Sequence, residues 1–147
     1  MDIKTILVAY DDTEPSRRAL DRAATLAEAF GARVLVTSIA PLVHSSPRSI
    51  THIDRGDSVA TVADEVGRAQ AQLEERGLDA ETVAATGDPA SSIARLAEDR
   101  GADLVVLGTR GLGPIQRLLG QSVSQSVARR VQCDVLIVHP GPEVRDA

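Results

Sequence analysis

Residues 103–113 read DLVVLGTRGLG. The run Asp103 to Leu107 is aliphatic and unbroken, lacking the in-out alternation of a half-solvated strand, and beyond it stand Gly108 and Gly111. A short continuous run suits a strand covered on both faces, and glycines directly after it suit a turn at that strand's end. Four similar segments recur: Thr5 to Tyr10 (TILVAY), Arg33 to Ala40 (RVLVTSIA), Glu81 to Thr86 (ETVAAT) and Asp134 to Val138 (DVLIV).

Helical stripes separate them. Ala19, Leu20, Ala23, Leu26, Ala27 and Phe30 share one face and end at Gly31, a natural helix terminator. Ala63, Val66, Ala69 and Leu73 form a second stripe closed by Gly77. Asp88-Pro89 reads as an N-cap with proline in the first turn, followed by Ile93, Leu96 and Ala97 before Gly101. Ser122 or Ser124 caps a fourth helix carrying Val123, Val127 and Val131. The order is β-α-β-α-β-α-β-α-β, which right-handed crossovers fold into one parallel sheet with helices on both faces, an α/β three-layer sandwich. A strand order of 3-2-1-4-5 makes strands 1 and 4 neighbours at the point where the order reverses, and ligands of such sheets bind there, at the strands' carboxyl ends.

Composition narrows the function. With 147 residues the chain fits one domain, taken as 1–141 with a tail at 142–147, and 1% aromatics means a core of Val, Leu, Ile and Ala. A formal charge of -5, with Tyr10 and Phe30 the only aromatics, argues against nucleic acid as a partner. No apolar run has the length of a membrane span, and the N-terminal residues lack the charged and apolar regions of a secretory leader. Cys133 stands alone, without a disulfide partner in the chain. The expectation is a cytoplasmic protein with no membrane partner, and Cys133 is read as a small core residue. His44, His52 and His139 are too scattered for a metal site.

Two features meet at the carboxyl edge. Asp11-Asp12 follows strand 1, and GTRGLGPIQRLLGQSVSQ, residues 108–125, follows strand 4. Glycines let a backbone approach phosphate oxygens, and the N-terminus of the next helix offers unpaired N–H groups. Thr109, Ser122 and Ser124 would add hydroxyls, and Arg110 and Arg117 positive charge, unless those arginines are merely solvated. Asp11 reads as a ribose or metal ligand, or as a helix cap. The dinucleotide G-x-G-x-x-G pattern is absent after strand 1, and no G-K-[ST] exists for a P-loop. A phosphoacceptor receiver would need a lysine after strand 5, but Lys4 is the only lysine. The polar segment Pro41 to Asp57 after strand 2 has the length of a lid or a disordered loop.

The chain resembles the universal stress protein family through ILVAYDDTEPSRRAL at 6–20, GDPASSI at 87–93, ADLVVLGTRGLG at 102–113 and SVSQSVARRVQCDVLIV at 122–138. The resemblance implies a flavodoxin-like fold, a homodimer, and adenine-nucleotide binding, ATP or AMP with or without Mg²⁺, through G-x2-G-x9-G-[ST]. By position it implies Gly108 and Gly111 as the first two motif glycines, with Thr109 and Arg110 between them, and Ser122 as the closing hydroxyl, followed by Val123 and Ser124. Asp11 falls at the ribose position, where it would also meet a nucleotide-bound Mg²⁺, and Ile39 falls where the backbone meets adenine.

Gln121 occupies the third glycine, and Asp12 stands where many members have glycine. A Cβ at positive φ costs on the order of 1–2 kcal/mol; alternatively the Gln121 side chain blocks the phosphate, or its carboxamide donates to it while Gly120 supplies the flexibility. These alternatives give a nucleotide-binding sensor or regulator on one side and a non-nucleotide dimeric scaffold on the other. No residue is poised as a general base, so catalysis is expected to amount at most to slow ATP hydrolysis. The last strand, Asp134 to His139, is the expected dimer edge.

Overall fold

Strand β1 (Thr5–Ala9) has four consecutive buried residues because a neighbour flanks it on each side and helices cover both faces. The structure, a computed structural model, describes residues 2–40, 55–109 and 123–139, with residues 55–62 described in backbone only. Its other elements are α1 (Glu14–Phe30), β2 (Arg33–Ala40), α2 (Arg55–Glu75), β3 (Ala80–Thr86), α3 (Pro89–Arg100), β4 (Leu104–Gly108), α4 (Val123–Arg130) and β5 (Asp134–Val138). The five strands form one sheet of order β3-β2-β1-β4-β5, and every pairing is parallel. This is the flavodoxin-like three-layer sandwich expected from the sequence.

The two faces of β1 divide the core. Ile6, Val8 and Tyr10 pack with Ala19, Leu20 and Ala23 of α1 and with Val66, Ala69 and Leu73 of α2. Leu7 on the opposite face joins Ala90, Ile93 and Ala97 of α3 and Val127 of α4. Among the described residues two helices cover each side, and β1 and β4, neighbours in the sheet, flank the reversal of strand order; right-handed crossovers put the helices before and after that reversal on opposite faces.

Local chemistry fixes the ends. Thr13 caps α1, its side chain accepting from Ser16 N–H while the Ser16 hydroxyl reaches back to the Thr13 backbone, and Pro15 occupies the first turn. Gly31 closes the helix at φ 69, a left-handed conformation natural to glycine. Asp88 caps α3 by accepting from Ser91 N–H at 2.9 Å, which holds its carboxyl below the usual carboxylate range.

Several boundaries differ from the sequence reading. The fourth strand runs one residue later at each end, taking in Gly108. Asp103 stays outside it and uses its carboxylate to accept from the Lys4 and Thr5 amides. Helix α2 starts at Arg55, inside the segment read as irregular; the start is hidden in the sequence because Gly56, Asp57 and Ser58 are weak helix formers whose pattern carries no apolar stripe. Ser124 lies within α4 instead of capping it. The rest of the long loop, with His44 and His52, and the tail lie outside the described residues.

Candidate functional site

The site begins where β1 stops and β2 does not. Ala9 is the last residue of β1 and pairs with Thr37. Tyr10 N–H then donates to Thr37 C=O at 2.8 Å, and among the described residues no further backbone bond joins β1 to β2. Strand β2 runs on to Ala40, held from the other side by β3. Backbone groups alternate in direction along a strand, so the N–H and C=O of Ile39 face the same side as those of Thr37, toward the space β1 has vacated. A donor and an acceptor from one residue are thus presented side by side at the switch point.

Asp11, exposed, leads out of β1 beside that gap. Its Oδ1 accepts from both the N–H and the hydroxyl of Thr13, so the side chain supports the α1 cap without being the cap. The next residue, Asp12, has φ 59, left-handed and rarely adopted by a non-glycine residue. Here the departure from glycine noted in the sequence acquires a geometry: this turn demands the conformation that glycine adopts most cheaply.

Donors crowd around Asp12. Tyr10 OH donates to Oδ1 at 2.8 Å, Arg17 to Oδ1 at 3.1 Å, and Arg68 of α2 to Oδ2 at 3.2 Å. The Tyr10 hydrogen bond, followed by the two arginines, holds the Asp12 carboxyl below its ordinary range. Burial, reinforced by that same hydrogen bond, pushes Tyr10 up to about 12. One turn before Arg68, Glu65 accepts from Ser38 Oγ at 3.0 Å. Its carboxyl is raised, first by burial and then by the charges of Asp11 and Asp12. Sequence reasoning passed over Tyr10, Arg17, Ser38, Glu65 and Arg68. Only the Asp12 anomaly hinted at this cluster: Tyr10 and Arg17 are near it in sequence but belong to no motif that pairs them with it, and Ser38, Glu65 and Arg68 are distant along the chain.

Across the crevice, Gly108 ends β4 against the first turn of α1, where a Cβ would lie 2.4 Å from the Pro15 carbonyl oxygen. Packing thus demands glycine at this position, apart from any ligand. Thr109 donates its N–H and hydroxyl to Val138 C=O of β5, at 3.0 and 3.3 Å, so its hydroxyl proton is turned away from the donor role suggested by the sequence. Val123 is half-buried and Ser124 buried in the first turn of α4. Arg110, Gly111, Gln121 and Ser122, together with Arg117, lie outside the described residues.

Among the described residues no three His, Cys, Asp or Glu gather as a metal cage, and no helix is long and apolar enough to cross a membrane. Cys133 is half-buried against the α3 and α4 side of the core, and burial raises its thiol, which disfavours the reactive thiolate.

A family model for the universal stress protein family matches residues 2–139. The chain belongs to that family. Universal stress protein YxiE of Bacillus subtilis is 32% identical over 143 residues, an alignment covering 90% of this chain and 97% of YxiE. Among solved structures, a universal stress protein crystallised in complex with cAMP is 30% identical, with a TM-score of 0.69 over 95% of this chain and 99% of the other. A universal stress protein family member from Burkholderia pseudomallei is 25% identical, with a TM-score of 0.77 over 92% and 96% of the two chains. The universal stress protein fold is thus matched over nearly the full length of the chain.

Proposed function

We propose that this universal stress protein binds an adenine nucleotide, ATP or AMP, in the crevice between the carboxyl ends of β1 and β4, and acts as a cytoplasmic sensor or regulator. The observation that carries the reading is the overrun of β2 past β1. The C=O and N–H of Ile39 form an acceptor and donor pair that complements the exocyclic amine and ring N1 of adenine. Guanine presents the opposite polarity on that edge. Asp11, with Oδ1 occupied by Thr13, keeps Oδ2 for a ribose hydroxyl or, when ATP carries it, for Mg²⁺. The phosphates then fall to Gly108 through Gly111 and to the start of α4, with Gln121, Ser122, Val123 and Ser124. The relative solved with cAMP supports the same ligand class.

The chain further pairs with a second copy through Asp134 to His139. In this reading the protein holds the nucleotide rather than turning it over.

The test is to denature the purified protein and identify released nucleotide by mass spectrometry, before and after incubation with ATP or AMP and removal of free ligand. Recovery of adenine nucleotide in stoichiometric amount supports the reading, and recovery of none after incubation contradicts it. A Gln121→Gly variant then separates the two family behaviours. Gain of nucleotide only in the variant identifies the wild-type chain as a scaffold closed by that side chain, whereas weaker retention in the variant shows the carboxamide contributing a hydrogen bond.

A further inference from the structure

Asp11 and Ile39 form the nucleoside end of the proposed site, and no described residue holds either from the crevice side. Their chain neighbours are held from behind, both by α2. Arg68 donates to Asp12 Oδ2 at 3.2 Å, and Glu65 accepts from Ser38 Oγ at 3.0 Å. Residues three apart on a helix share a face, so one short stretch of α2 grips the end of β1 with a cation and the end of β2 with a carboxylate. Ser38 is buried, and its hydroxyl contact ties to α2 the stretch of β2 on which Ile39 stands, itself paired with β3. Asp12 sits at φ 59, a conformation it does not favour intrinsically, and Arg68, Arg17 and Tyr10 together hold it there.

We infer that Glu65 and Arg68 of α2 are positioning residues for the nucleoside, setting the separation of Asp11 from the Ile39 backbone through Asp12 and Ser38. The inference rests on the nucleotide reading above. Arg68 and Asp12 are 56% and 36% exposed in their side chains, and an exposed ion pair contributes little to stability. Its effect therefore falls on geometry at the crevice, while the fold persists without it.

Calorimetric titration with AMP and with adenosine, alongside thermal unfolding, tests this on Arg68→Ala, Arg68→Lys and Glu65→Ala. Arg68→Ala and Glu65→Ala should each weaken AMP and adenosine by the same factor, about fivefold to tenfold, with the unfolding temperature of Arg68→Ala close to wild type and that of Glu65→Ala lowered, since it leaves the buried Ser38 hydroxyl without its acceptor. Arg68→Lys should recover most of the loss. The equal factor identifies the nucleoside end as the part disturbed. Unchanged affinity in folded variants of a wild type that binds would overturn the positioning role and leave the nucleotide reading standing. Loss for AMP alone would also overturn it, since that pattern marks a phosphate contact. A wild type that binds neither ligand would overturn both. If Arg68→Ala does not fold, Glu65→Ala decides by the same criteria.

Discussion

A methyl group on Gly108 would meet the Pro15 carbonyl oxygen at 2.4 Å, and the obstacle is helix backbone rather than a side chain that can swing away. The sequence marked this glycine as part of a phosphate cradle. The packing reason was illegible, because Pro15 lies at the other end of the chain and meets β4 only once the sheet is assembled. Gly108→Ala should therefore cost about 1–3 kcal/mol of stability with no ligand present, as overpacking does. Urea unfolding reads the loss, and an unchanged midpoint would show that α1 yields easily. Tyr10 offers a second residue-scale test, because it is the only tyrosine of a chain without tryptophan. Its hydroxyl is pushed from 10.0 to about 12 by burial and by the bond to Asp12, so the fold favours the neutral phenol. The resulting stability is complete below pH 10 and is lost as pH rises from 10 toward 12. Tyrosinate absorbance should titrate near 12 in the folded protein, and the alkaline loss should be shallower in Tyr10→Phe. Titration at the ordinary 10 would contradict the buried hydrogen bond.

At the scale of elements, legibility followed the strength of local chemistry. Helices α1 and α3 were readable from an apolar stripe with glycine at the end, and α3 also from Asp88-Pro89. The start of α2 was not, since Gly56, Asp57 and Ser58 belong equally well to a loop. Strand β5 was readable in full, Asp134–Val138, from its unbroken apolar run. Among the described residues it pairs on one side only, with β4, and Val135, Leu136 and Ile137 are half-buried. An apolar edge of this kind is covered in most proteins, and in the proposed homodimer a second copy covers it. Ile137→Glu should shift the assembly to monomer in sedimentation while leaving the secondary structure intact. An unchanged mass would place the interface elsewhere.

For the whole molecule, the topology decides where a ligand sits. Alternation and crossover handedness made a parallel sheet with helices on both faces predictable, whereas the order β3-β2-β1-β4-β5 rested on the family resemblance; that order brings Asp11 and Gly108 to one edge although they are far apart in sequence. The grip of α2 on that edge was not predictable, because Arg68 and Glu65 look like an ordinary solvated face until β1 and β2 end beside them. In the proposed function the recognition of the base falls to the backbone pair of Ile39, whose polarity matches adenine and opposes guanine. Calorimetric titration of the wild-type protein with AMP and with GMP tests this most directly. The account predicts saturable binding of AMP with a Kd below about 1 mM and GMP weaker by about tenfold or more. Absence of saturable heat with millimolar AMP, or equal affinity for GMP, would contradict it.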